Sequence, residues 1–282
     1  MNLYDYSTIN KILTAHGFTF SKALGQNFII DPSVCPEMVR NLNADEKTGV
    51  IEIGPGIGVL TKELCKTAGK VAAIELDKRL FPVLEETLGE FKNAEIIEGD
   101  VLRLDLNALI KEKFSGMTSI KVCANLPYYI TSPVIMALLE NRLAIDEIVV
   151  MVQKEAAERL CAEIGSRDSG AVTVAVNYYA QAEMLFEVPK ECFYPAPKVD
   201  SAVMKLTLRK NPPIDIKDEK HFFAIVKAAF SQRRKTALNC LSGGLGISKS
   251  AVSAALKAAE LDERARAESF SMEDFALLSE IL

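Results

Sequence analysis

The chain of 282 residues contains no tryptophan and only two histidines, His16 and His221, which lie far apart. Its six cysteines, Cys35, Cys65, Cys123, Cys161, Cys192 and Cys240, include no Cys-x-x-Cys pair. Metal sites need clustered ligands, so no metal is expected, and the thiols are expected to be reduced and mostly buried. No run approaches the ~20 consecutive apolar residues that span a bilayer. The first ten residues are polar and lack the basic-then-apolar pattern of a secretory leader. These absences predict a cytoplasmic protein that does not engage a membrane. Net positive charge is also missing: 33 Lys+Arg against 38 Asp+Glu leave −5, whereas nucleic-acid binding usually shows as basic surface. The distribution changes that reading. Residues 217–257 hold eight Lys/Arg against two acids, a local charge of +6 in an otherwise acidic chain. A local basic face can still steer RNA, because screening confines its field to about 8 Å at physiological salt.

What is present reads as an α/β chain. From about Gly49 to Met151, apolar strand-like runs (49–53, 70–76, 94–98, 120–124, 145–152) alternate with helical patterns near 58–68, 78–90 and 132–140. Short connections between alternating elements imply a parallel sheet covered by helices on both faces. An amphipathic helix is expected to continue to Ile164. Two helices are expected upstream of Gly49, one of them capped by Asp31 with Pro32 at its first position. Residues 184–188 and 199–208 read as an antiparallel hairpin on the sheet edge, joined through Phe193-Tyr194-Pro195-Ala196-Pro197. Asn211-Pro212-Pro213 reads as a linker, and only helical stretches follow, near 218–231, 234–241, 248–259 and 272–281. The expected division is residues 1–209 and a small all-helical domain, 210–282.

Four strand ends carry the chemistry. Gly54-Pro55-Gly56-Ile57-Gly58 closes the first strand, and ligands of doubly wound sheets sit outside the strands' carboxyl ends. The spacing is not the Gly-x-Gly-x-x-Gly of dinucleotide binding, and a tight turn without a ligand would also account for it. Glu75 closes the second strand, where a carboxylate can accept from both ribose hydroxyls of an adenosine-containing cofactor; Asp77 competes for that part. Asp100-Val101 follows the third strand, where Asp100 either accepts from an adenine amino group or caps a turn. Asn125-Leu126-Pro127-Tyr128 follows the fourth. The N6 amine of adenine is a weak nucleophile because its lone pair is delocalised into the ring. Acceptance of its N–H groups by the Asn125 side-chain oxygen and the Leu126 carbonyl would favour a more tetrahedral nitrogen. Pro127 would hold those acceptors in place, and Tyr128 would stack on a flipped base for about 1–3 kcal/mol.

These elements in order resemble the Rossmann-like class I S-adenosylmethionine methyltransferases, with a mostly parallel seven-stranded sheet. Leu24-Gly25-Gln26-Asn27-Phe28-Ile29-Ile30-Asp31, Asn125-Leu126-Pro127-Tyr128-Tyr129-Ile130, Gln153-Lys154-Glu155, the stretch from Phe193 to Val203, and Gln232-Arg233-Arg234-Lys235-Thr236 narrow the resemblance to the KsgA/Dim1-type ribosomal RNA adenine dimethyltransferases. It covers nearly the whole chain. It departs from the family pattern at Ser169-Gly170, where a tyrosine usually precedes the glycine.

The resemblance implies S-adenosyl-L-methionine as cofactor, contacted by Asn27, Ile29, Gly54, Gly56, Glu75, Asp100, Val101 and Asn125. It implies that Phe193 stacks on the target adenine opposite Tyr128. The implied product is N6,N6-dimethyladenosine at two adjacent adenosines of the 3′-terminal hairpin of 16S rRNA, made on an immature small subunit by a monomer. Arg233, Arg234, Lys235 and Lys198 are the expected RNA contacts. Between a core phenylalanine and one on an exposed, rigid loop, the flanking prolines favour the latter for Phe193. Two rivals remain: a resistance-type methyltransferase of large-subunit rRNA, and a non-catalytic assembly or transcription factor on the same fold.

Overall fold

A computed structural model describes residues 1–21 and 25–282; Leu24 of the N-terminal motif lies outside them. The chain divides into two compact units, residues 1–157 with 182–208, and residues 158–181 with 209–282.

The first unit is built on the strands β1 (Phe28–Ile29), β2 (Thr48–Ile53), β3 (Lys70–Glu75), β4 (Ala94–Glu98), β5 (Ser119–Asn125), β6 (Glu147–Gln153), β7 (Ala180–Val188), β8 (Phe193–Tyr194) and β9 (Ser201–Leu208). Seven form one sheet in the order β4-β3-β2-β5-β6-β9-β7, while β1 and β8 pair separately. β2 lies between β3 and β5 and is parallel to both, and β9 runs antiparallel to β6. The chain order therefore reverses beside β2, which places a crevice at the carboxyl ends of β2 and β5, where doubly wound sheets bind ligands. Every residue of β2 is buried, as expected of a central parallel strand covered on both faces. Where a hairpin was expected on the sheet edge, β9 and β7 are neighbours, with β7 outermost.

Local differences from the sequence reading have identifiable causes. The second helix runs Val34–Leu42 with Ser33 as N-cap, not from Pro32; the Asp31 carboxylate instead accepts the Ser33 N–H at 2.8 Å and holds a turn. Helix Leu106–Lys113 was not anticipated, although Asp105 caps it by accepting from the Ala108 N–H. The helix expected to reach Ile164 is Lys154–Leu160; the chain then turns through Gly165 at φ 85°, and a separate helix, Ala171–Tyr179, follows.

In the second unit, Val174 and Tyr178 of that helix are buried in one apolar cluster with Phe222, Ile225, Leu241 and Phe275. The division at 209/210 left residues 158–181 with the first unit; by contacts they group with the second. Their apolar face is the reason, since the remaining helices alone would leave the Phe222 side of the cluster uncovered. Capping is dense here: Asp218, Thr236, Ser248 and Ser271 each accept from a backbone N–H of the helix they begin, worth about 1 kcal/mol apiece.

Four of the cysteines are buried, and Cys161 and Cys192 are half-buried. Among the described residues no group of three or more His, Cys, Asp or Glu side chains is placed to hold a metal, and no helix is long and apolar enough to cross a membrane.

Candidate active site

The crevice beside β2 contains two cavities. Asn27, Ile29, Gly56, Asn125, Tyr128 and Phe193 border the first. Asp100, Val101, Leu76 and Tyr129 border the second. Gln26, Gly54, Glu75 and Pro127 border both. All the cofactor-site and catalytic residues anticipated from the sequence therefore meet at one place in the first unit. The anticipated RNA contacts lie elsewhere: Lys198 is exposed on the loop after β8, and Arg233, Arg234 and Lys235 are exposed in the second unit.

The floor is a glycine turn. Gly54, Gly56 and Gly58 have φ of 71°, 59° and 88°, a left-handed conformation that costs an L side chain roughly 1–2 kcal/mol. At Gly56 space adds to conformation, because a Cβ would stand 3.1 Å from the Phe28 ring. Two acids stand beside this turn. Glu75 is buried; its carboxylate accepts the Asp77 N–H at 2.7 Å and the Gly56 N–H at 3.4 Å. Burial raises its pKa above the usual carboxylate range. Glu52 is 1% exposed, borders the first cavity, and has one carboxylate oxygen without a partner among the described residues. Burial, with the nearby Glu75 charge adding to it, pushes the Glu52 carboxyl up to about 8. Asp100 is partly exposed, accepts the Leu102 N–H at 3.0 Å and lies 3.4 Å from the Arg103 guanidinium.

The Asn125 carboxamide is oriented by its own hydrogen bond. Its Nδ2 donates to the Asn27 carbonyl at 3.3 Å, so Oδ1 remains as an acceptor. The Leu126 N–H donates to the Met151 carbonyl at 3.0 Å, anchoring the turn to β6. Pro127 sits at φ −56°, and the Tyr128 hydroxyl hydrogen-bonds Ser201 Oγ at 2.7 Å. Phe193 departs from the exposed loop position expected of it: it is 3% exposed and part of the first unit's core. Pairing explains this. β8 forms an antiparallel ladder with β1, Ile29 opposite Phe193 and Phe28 opposite Tyr194, and the Ile30 N–H reaches the Cys192 carbonyl at 2.8 Å. Phe193 still borders the same cavity as Tyr128.

Sequence reasoning missed the clamp on the N-terminal segment. Gln26 Nε2 donates to Asp77 at 2.8 Å, while Gln26 Oε1 accepts the Ser21 N–H at 2.9 Å. Asp77 borders neither cavity; it also accepts two bonds from the Arg79 guanidinium, at 2.6 and 2.8 Å, and one from the Arg79 N–H at 3.2 Å, and these with Gln26 hold its pKa below the carboxylate range. Arg79 in turn reaches the Thr19 carbonyl at 3.3 Å and lies 5.0 Å from the Phe18 ring centroid. The competing acid is thus the anchor of the clamp, a role that its distance from Gln26 in the sequence conceals.

A family model for ribosomal RNA adenine dimethylase matches residues 17–282. The chain belongs to the ribosomal RNA adenine dimethylase family. Curated proteins named ribosomal RNA small subunit methyltransferase A agree with this over nearly the full length. The one from Geobacillus sp. (strain WCH70) is 48% identical over 275 residues, covering 96% of this chain and 94% of that protein. The one from Streptococcus thermophilus (strain CNRZ 1066) is 45% identical, covering 100% and 98%. Two crystal structures share the fold. A dimethyladenosine transferase from Plasmodium falciparum is 25% identical, with a TM-score of 0.71, over 89% of this chain and 95% of that one. The 23S rRNA methyltransferase ErmE is 26% identical, with a TM-score of 0.66, over 90% and 99%. The enzyme's cofactor is S-adenosylmethionine, and the crevice fits it. The Gly54–Gly58 turn lets a ligand approach backbone, and Glu52, Glu75 and Asp100 offer acceptors to an ammonium group, ribose hydroxyls and an adenine amine.

Proposed function

We propose that this dimethylase methylates N6 of two adjacent adenosines in the 3′-terminal hairpin of 16S rRNA, giving N6,N6-dimethyladenosine late in small-subunit biogenesis. It acts in the cytoplasm as a monomer, and its substrate is an immature small subunit. The observation that carries the reading is the orientation of Asn125. With Nδ2 committed to Asn27, its Oδ1 accepts one N6–H and the Leu126 carbonyl accepts another. The amine nitrogen then becomes more tetrahedral and its lone pair is freed. Pro127 fixes the turn, and Tyr128, tethered through Ser201, stacks on the flipped base with Phe193 on the other side.

When bound, S-adenosylmethionine supplies a sulfonium-bound methyl group; Asn27, Ile29, Gly54 and Gly56 would hold it near its methionine end, and Glu75, Asp100 and Val101 around its adenosine. The N6 nitrogen would form its new bond to the methyl carbon as the carbon–sulfur bond breaks, leaving the demethylated cofactor as a neutral thioether, and would pass its proton to solvent; no strong base is needed because the nitrogen becomes acidic as the methyl arrives. A second transfer requires that the pocket accept an amine already carrying one methyl. Arg233, Arg234, Lys235 and Lys198 make sequence-independent contacts to RNA phosphates. Identity of 45–48% to the small-subunit methyltransferases, against 26% to the large-subunit enzyme ErmE, favours the small-subunit target.

The test incubates the protein with labelled S-adenosylmethionine and immature small subunits and maps the methylated nucleosides. Label in two adjacent adenosines of the 3′-terminal hairpin is expected. Label confined to large-subunit RNA would overturn the target, and no label would overturn the activity.

A further inference from the structure

The second unit has a cavity of its own, about 240 Å³, between the start of helix Ala171–Tyr179, the turn that follows helix Glu219–Ala229, and Arg266–Glu268. Four cationic side chains border it: Arg159, Arg233, Lys235 and Arg266. Glu268 is the one acid at its edge, 3.9 Å from the Arg266 guanidinium. Among the described residues Arg159, Arg233 and Lys235 form no ion pair.

The helix that opens on this cavity begins in an unusual way. Its N-cap is Gly170, which has no side chain to accept from the first turn. The N–H groups of that turn have no acceptor within the helix, and its macrodipole is positive at this end. Beside it Ser169 is 6% exposed and borders the cavity, and its hydroxyl has no partner among the described residues. A buried, unpaired hydroxyl costs roughly 1–3 kcal/mol, which a ligand oxygen would recover. Thr173 Oγ1 accepts from the Gly170 N–H at 3.0 Å and donates to the Arg159 carbonyl at 2.8 Å, fixing Arg159 at the helix start. The last carbonyls of helix Glu219–Ala229 oppose an anion here, but the cations and the N-terminal amides outweigh them.

We propose that this cavity is a seat for one phosphate group of the RNA backbone, held by the Ser169 hydroxyl, the amides of Ala171 and Val172, and the Arg159 and Arg266 guanidiniums. Helix N-termini flanked by arginines suit phosphate because the amides supply directed donors and the guanidiniums supply paired ones. The seat makes a positioning contact that carries no sequence information and fixes the RNA's register. It rests on the rRNA reading above and adds Arg159, Ser169 and Arg266 to the contacts inferred from sequence.

The test uses the full chain with Arg159→Ala, Ser169→Ala and, as a control for general charge, Lys227→Ala. First, inorganic phosphate is titrated while the amide resonances of Ala171 and Val172 are followed. Saturable shifts are expected in the native protein and in Lys227→Ala, and are lost in Arg159→Ala. Second, methylation of immature subunits is measured against salt. Arg159→Ala raises KM about tenfold with kcat retained and flattens the log–log salt slope by about 0.7–0.9, the share of one phosphate; Ser169→Ala raises KM three- to tenfold. Phosphate shifts without any KM effect would mark a site for free anions and overturn the assignment to RNA. KM and slope changes no larger than those of Lys227→Ala would overturn the seat altogether. Subunit binding that shows the same variant pattern without methyl transfer would support the seat and sink the methylation reading alone.

Discussion

Ile29 and Phe193, which are 164 positions apart, face each other across the β1–β8 ladder at the mouth of the crevice. One is expected at the cofactor and the other at the target base, so the two ligands would share a wall of main-chain hydrogen bonds. That arrangement would couple positioning of the base to the β1 segment.

Phe193→Leu keeps an apolar side chain in the core but removes the ring. It is expected to lower kcat/KM about 5- to 150-fold, the kinetic equivalent of ~1–3 kcal/mol of stacking, with S-adenosylmethionine affinity within twofold of native by calorimetry. Wild-type turnover in this variant would remove Phe193 from the base clamp.

Asn125→Asp retains size and acceptor oxygens but cannot donate to the Asn27 carbonyl. Turnover should fall about 10²–10³-fold, the range found for loss of one preorganised group in an active site. Single-turnover rates at saturating cofactor provide the measurement; a rate within threefold of native would mean that the Asn27 bond does not orient the amide.

The Glu52 carboxyl, held near 8 by burial, predicts a pH dependence of folding. The group is protonated in the folded protein and ionised in the unfolded chain at neutral pH. Its contribution is therefore fully present below about 4.5, the ordinary value, and is lost as pH rises toward 8. Between those limits the slope should approach 1.4 kcal/mol per pH unit. Urea denaturation of the cofactor-free protein from pH 5 to 8 should show this decline, and Glu52→Gln should flatten it. An unchanged slope in the variant would assign the effect to other groups.

Gly56→Ala meets both a left-handed backbone and the Phe28 ring at 3.1 Å. Cofactor affinity is expected to fall at least tenfold with a lower melting temperature. Binding at native strength would show that the turn can shift without cost.

The strand ends were legible because each is an apolar run stopped by a glycine or an acid, and chain order alone placed Gly54, Glu75, Asp100 and Asn125 on one edge of a parallel sheet. Contacts between distant segments were not legible. Nothing local to Gln26 points to Asp77, or to Tyr128 as the partner of Ser201. The prolines around Phe193 suggested exposure, whereas a two-residue ladder buries it. The Asp31-Pro32 signal was real chemistry used for a turn two residues ahead of the helix. Glu52 read as one more strand residue, and only its full enclosure makes its charge state a variable.

The second unit is assembled from two stretches of chain, with Val174 and Tyr178 from one packed among Phe222 and Phe275 from the other. A graft meant to exchange this unit between two such enzymes must therefore carry two inserts. A chimera joined only at residue 209 would draw Val174 and Tyr178 from one parent and the rest of that buried cluster from the other. Its first defect would be a mismatch around Tyr178, visible as loss of cooperative unfolding before any change in which RNA it prefers.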